Sequence, residues 1–151
     1  MSLRLPPEPD WLSVELRPGA HVLFTTRAGG VSQGEFAGLN LGDHVGDAPE
    51  SVAWNRARLS RSLPARPVFL NQVHGTGVVQ LEAATPDGLQ ADGAMATQAG
   101  LAPVVMVADC LPILLAHTER PLVAALHAGW RGLAGQGGQA CWRWPLRACR
   151  L

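Results

Sequence analysis

The sequence predicts a chain of mixed α and β structure in which short buried strands outnumber helices. Three observations predict this. Across residues 104–132 apolar runs alternate with turn residues. The run 104–107 breaks at Asp109-Cys110, Ile113-Leu114-Leu115 leads into a turn at 118–121, and the run 122–126 ends at His127-Ala128-Gly129. Short apolar runs bounded in this way read as buried strands. Similar runs recur upstream at 21–26 and 68–74. Only one segment, 47–62, carries helix signals: Asp47 as a cap, Pro49 and Glu50 in the first turn, and Pro64 beyond the end.

The chain has 151 residues, 47% hydrophobic and 16% charged, with zero formal net charge. That length predicts one domain with a sizeable core. A balanced charge argues against a basic nucleic-acid surface, so no nucleic-acid partner is expected. Every basic residue other than His is Arg, and with 17 Gly and 12 Pro this points to GC-rich coding. Cys110, Cys141 and Cys149 form an odd set without framework spacing, which favours a reducing compartment. The N-terminus lacks an apolar leader and no apolar run is long enough to span a bilayer. A soluble, cytoplasmic chain without a membrane partner is expected.

In chain order, the Pro-rich residues 1–20 read as a loose arm, with Trp11 and Leu12 pinning it. A strand at 21–26 precedes a glycine turn at 27–32, and 36–46 form an irregular loop holding Asn40, Asp43 and His44. The helix at 47–62 places Val52, Leu59 and Leu63 inward and Arg56, Arg58 and Arg61 in solvent. A strand at 68–74 ends on His74, a turn at 75–77 leads into 78–81, and 83–88 form a loop before a short strand at 91–97. Residues 135–151 show neither helical nor alternating periodicity. Gly135, Gly137, Gly138 and Pro145 oppose a helix there, so the strand at 122–126 is expected to lack its cover.

His74, Cys110 and His127 each follow an apolar, strand-like run. One thiolate and two imidazoles suit zinc, and three protein ligands leave its fourth position open for chemistry. The same residues fit other readings. Cys110 and His127 could form a metal-free nucleophile–base pair, and a cysteine after an apolar run is also a good small core residue. Arg27 and Arg131 lie beside glycine turns, which suits anion binding as well as plain surface exposure. Trp130 reads as packing, and Asp109 as either an orienting group or a backbone cap. His21, His44, His117, Cys141 and Cys149 lack ligand-like surroundings.

Several stretches resemble the motifs of the YfiH-like, laccase-domain proteins. They are Asn71-Gln72-Val73-His74-Gly75, Ala108-Asp109-Cys110-Leu111-Pro112 and His127-Ala128-Gly129-Trp130-Arg131-Gly132. Thr25-Thr26-Arg27-Ala28-Gly29-Gly30-Val31-Ser32, Leu39-Asn40-Leu41-Gly42, His44-Val45-Gly46-Asp47 and Asn55-Arg56 match in the same order. The resemblance implies an α/β (α+β) sandwich with a mixed β-sheet core and flanking helices, related to the cytotoxic necrotizing factor catalytic domain. It implies zinc on His74, Cys110 and His127, with copper as the alternative metal. It also implies purine nucleoside phosphorylase activity on adenosine, inosine and methylthioadenosine, with adenosine deaminase activity. Purine nucleoside and phosphate would then be the partners. Cys110, Arg27 and Asn40 would be catalytic, and Arg27, Asn40 and Arg131 would bind substrate. Competing readings are a copper polyphenol oxidase, a metal-free Cys–His amidohydrolase and an inactive truncated fragment. The resemblance stops near Ala134. The expected organisation is therefore a partial laccase domain over 1–134, C-terminally truncated or frameshifted, and an atypical, disordered tail over 135–151.

Overall fold

The structure, a computed structural model, describes residues 10–135, 137, 140–143 and 145. The expectations for residues 1–9, Trp144 and Cys149 lie outside the described residues. The chain divides into two compact units, Met1–Pro64 and Ala65–Leu151.

In the first unit, β1 (Leu12–Arg17) pairs antiparallel with β2 (Ala20–Phe24). Residues 12–17, expected in a loose arm, are therefore a strand. Gly19 makes the connecting turn at φ 81°, a left-handed backbone that glycine adopts without cost. The expected helix is α1 (Pro49–Ser62). Its cap is Ala48 rather than Asp47, and no side chain closes its first turn. The Asp47 carboxylate is used elsewhere: it accepts from the Ser32 hydroxyl at 2.6 Å, the Asn40 amide at 2.9 Å and the Ala48 N–H at 2.8 Å. The inner face is Val52, Asn55, Leu59 and Ser62, so Asn55 and Ser62 are buried where only apolar residues were expected.

Asn55 is buried because it completes the backbone bonding of the glycine loop. Its Oδ1 accepts from Val31 N–H at 3.0 Å, and its Nδ2 donates to Ser32 Oγ at 2.9 Å and to Asn40 O at 2.8 Å. A loop without ladder partners must satisfy its peptide groups in some such way.

The second unit is built on a four-stranded mixed sheet. Its strands are β5 (Val78–Gln80), β7 (Gly93–Ala96), β9 (Leu111–Ala116) and β10 (Val123–Ala128), in the order β5-β7-β10-β9. β5 runs parallel to β7, while β7–β10 and β10–β9 are antiparallel. Central β7 and β10 are rich in Ala and buried along nearly their whole length. A strand covered on both faces loses the inside–outside alternation of an exposed one. Two further pairs are parallel: β3 (Arg66–Val68) with β8 (Leu101–Pro103), and β4 (Leu70–Asn71) with β6 (Leu89–Gln90).

Two strand expectations change here. The run 68–74 is broken at Phe69 into β3 and β4, and it ends before His74. The run 104–107 is not a strand, since β8 stops at Pro103. The Gln72 side chain holds it instead, donating to Met106 O at 2.8 Å and accepting from Met106 N–H at 2.7 Å. A carboxamide that bonds like a peptide group takes the place of a ladder partner.

After β10 comes α2 (Trp130–Ala134), a helix of five residues ended by Gly135 at φ 84°. Contrary to the expectation that β10 would lack cover, Cys141 is fully buried against Leu126 and Ala128, with Trp142 half-buried beside it. The Cys141 N–H donates to Gly132 O at 3.0 Å. Among the described residues no helix is long and apolar enough to cross a membrane.

Candidate metal centre

All three residues singled out for metal binding belong to the second unit, and the fold brings them together. One nitrogen each of His74 and His127 and the Cys110 sulfur lie within 4.8 Å of one another. The two imidazoles meet edge to face, with centroids 4.7 Å apart and planes at 78°. The three differ in burial: His127 is buried, Cys110 half-buried and His74 exposed.

Their placement departs from the sequence reading. Only His127 stands on a strand, as the next-to-last residue of β10. Cys110 immediately precedes β9 instead of closing a strand. His74 sits in the loop after β4 with φ 58°, a left-handed backbone that few residues other than glycine adopt. Such a conformation persists only where its surroundings impose it, and it concentrates at functional sites.

A residue absent from the sequence reading imposes it. Asp92 is fully buried in the turn between β6 and β7. Its Oδ1 accepts from His74 N–H at 2.8 Å, and its Oδ2 accepts from Gly75 N–H at 2.7 Å and Val73 N–H at 3.2 Å. The same Oδ1 lies 2.9 Å from His127 Nδ1, and Asp92 O accepts from His127 N–H at 2.7 Å. The available signal was a lone acid in the small, apolar stretch Ala91-Asp92-Gly93-Ala94. A buried charge requires partners.

Gly129 leaves room beside two of the three candidate ligands. A Cβ there would stand 3.3 Å from Cys110 Sγ and 3.4 Å from His74 Cδ2. Burial, then the neighbouring Asp109 carboxylate, push the Cys110 thiol up. Cys110 and Cys141 are both free thiols.

The donor set fits a cation such as zinc. Two imidazoles and a thiol, all within 4.8 Å of one another, are the nitrogen and sulfur donors that zinc takes. With Nδ1 of His127 engaged by Asp92, its Nε2 is left for an ion.

The other expected site residues have partners of their own. Arg27, in the first unit, donates through Nε at 3.1 Å and Nη2 at 2.7 Å to Ala37 O. Asn40 forms a local turn: Oδ1 accepts from Gly42 N–H at 3.0 Å while Nδ2 donates to Gly42 O and Asp47. Arg131, in the second unit, lies over the Trp130 ring at 5.0 Å, and that ring is 73% exposed rather than packed.

Comparison with known proteins places the chain among related sequences and folds. The family described as multi-copper polyphenol oxidoreductase laccase matches residues 21–143. A purine nucleoside phosphorylase of Corynebacterium glutamicum is 46% identical over 129 residues, covering 82% of this chain and 52% of that protein. One from Pseudomonas aeruginosa is 48% identical over 126 residues, covering 82% and 51%. A Neisseria meningitidis protein superposes with a TM-score of 0.83 at 40% identity, over 95% of this chain and 58% of that one. YlmD from Geobacillus stearothermophilus gives 0.69 at 37% identity, over 74% and 46%. The chain spans about half the length of the curated relatives it matches. Like those neighbours, it is a mixed α/β protein with several sheets and few helices.

Proposed function

The chain belongs to the multi-copper polyphenol oxidoreductase laccase family, and we propose that its His–Cys–His cluster is the zinc centre of a purine nucleoside phosphorylase that also deaminates adenosine. The observation that carries this reading is the convergence of His74, Cys110 and His127 within 4.8 Å. The names of the similar proteins, purine nucleoside phosphorylases, support the substrate class.

Zinc held there would supply Lewis acidity and acidify a bound water, as deamination requires. Cys110 would enter as the thiolate, releasing its proton on binding. For phosphorolysis the resemblance assigns phosphate to Arg27 and Arg131, and phosphate or ribose to Asn40. A guanidinium has five N–H donors, and the bonds to Ala37 use two of those on Arg27. Asn40 would exchange a bond to Gly42 or Asp47 for one to substrate. The domain organisation proposed alongside is a partial laccase domain over 1–134 with an atypical segment over 135–151.

The test is phosphate-dependent release of free base from adenosine, inosine and methylthioadenosine, with ammonia release followed in parallel. Zinc-loaded protein should release base, and chelated protein should not. Oxygen uptake with a phenol on copper-loaded protein, without base release, would select the polyphenol oxidase instead. Acyl transfer surviving chelation would select the Cys–His amidohydrolase. Inert protein that still holds zinc would select the inactive fragment.

A further inference from the structure

We propose that Asp92 is the positioning residue of this centre, fixing the tautomer of His127 and the seat of His74 with a single carboxylate. This rests on the metal reading above. Four donors fill its two oxygens: His74 N–H and His127 Nδ1–H on Oδ1, Gly75 N–H and Val73 N–H on Oδ2. A carboxylate has about four lone-pair positions, so the set is complete. Three consecutive backbone N–H groups turned toward one anion form a nest, and a left-handed residue is what makes them converge. Here that residue is His74 itself, at φ 58°. The conformation of one ligand is therefore tied to the anion that orients the other.

For His127 the consequence is chemical. Asp92 is an acceptor at 2.9 Å, so Nδ1 carries the proton and Nε2 keeps its lone pair for a cation. The main-chain bond from His127 N–H to Asp92 O fixes the register between the two residues. Asp92 thus links a ligand on a loop to a ligand on a strand, and holds both at once.

Asp92→Asn separates this role from simple loop stapling, because the amide keeps the volume and loses one acceptor. With its NH2 toward His127, Nδ1 must accept and Nε2 carries the proton. With its NH2 toward Val73 and Gly75, the nest opens and His74 shifts. Apparent zinc affinity, read by competition with a chromogenic chelator on folded protein, should fall roughly 10–100-fold. Unchanged affinity in a folded variant overturns the proposal. Nitrogen NMR of the metal-free wild-type His127 ring keeps the test open if the variant does not fold. A protonated Nδ1 with a bare Nε2 is expected, and the opposite tautomer overturns the proposal. Wild-type protein that takes up no zinc overturns the metal reading, and this inference with it.

Discussion

Gly129 leaves little room for a side chain beside Cys110: a methyl group on Gly129 would stand 3.3 Å from Cys110 Sγ. The same methyl would lie 3.4 Å from His74 Cδ2. Gly129 has φ −64°, which any residue adopts, so glycine is needed here for space and not for conformation. Gly129→Ala should therefore fold normally and hold zinc about tenfold more weakly. Thermal unfolding and metal competition, measured together, separate the two effects.

Gly93 has a different constraint. It lies in β7 between Val78 and Leu126, and a Cβ would meet Leu126 Cδ2 at 2.6 Å and Val78 Cγ2 at 3.2 Å. Leu126 is fully buried and has little room to yield. Gly93→Ala should cost about 1–3 kcal/mol by overpacking. Denaturant unfolding reads this directly, and a neutral result would mean that the sheet repacks freely.

In the first unit, Asn55→Ala should be among the most destabilising single changes. It strands the Val31 N–H and the Asn40 carbonyl, which the Asn55 side chain satisfies. The expected loss is about 3 kcal/mol, read as a lower denaturation midpoint with an unchanged slope.

Asp47 is expected to contribute to stability at acid pH. The Ser32 hydroxyl, then the Asn40 amide, hold its carboxyl below its ordinary value. A lowered folded-state value makes the ionised form stabilising. That contribution is complete above the unfolded value of about 3.9 and is lost as pH falls through the lower folded value. Asp47→Asn should flatten this part of the stability–pH curve below about pH 4. An unchanged acid limb would show that other carboxyls set it.

The three candidate ligands were legible because each sits in a short motif of recognisable residues. Their supports were not. Asp92 sits alone in a stretch of small residues, and its partners are backbone groups of residues 73–75, which no side-chain pattern marks. Asn55 stood out as part of a motif, but its burial did not, because a helix's inner face is sought by its apolar residues, whereas this face includes a buried amide. The strand expectations failed at 68–74 and 104–107 for a related reason. Apolar runs report burial, but ladder partners are decided by distant residues, and at Met106 the Gln72 side chain replaces a strand. The hairpin of β9 and β10 was legible because its two runs and its turn are contiguous.

Zinc content by plasma emission spectroscopy tests the central claim most directly, on wild-type protein beside His74→Gly, Cys110→Ser and His127→Ala. Glycine suits the left-handed backbone at position 74, so that variant removes the ligand without straining the loop. The arrangement of His74, Cys110 and His127 predicts about one zinc per chain in the wild type, and loss of stoichiometric zinc from each variant. A folded variant that keeps its full complement of zinc would contradict the assignment of these three residues as ligands.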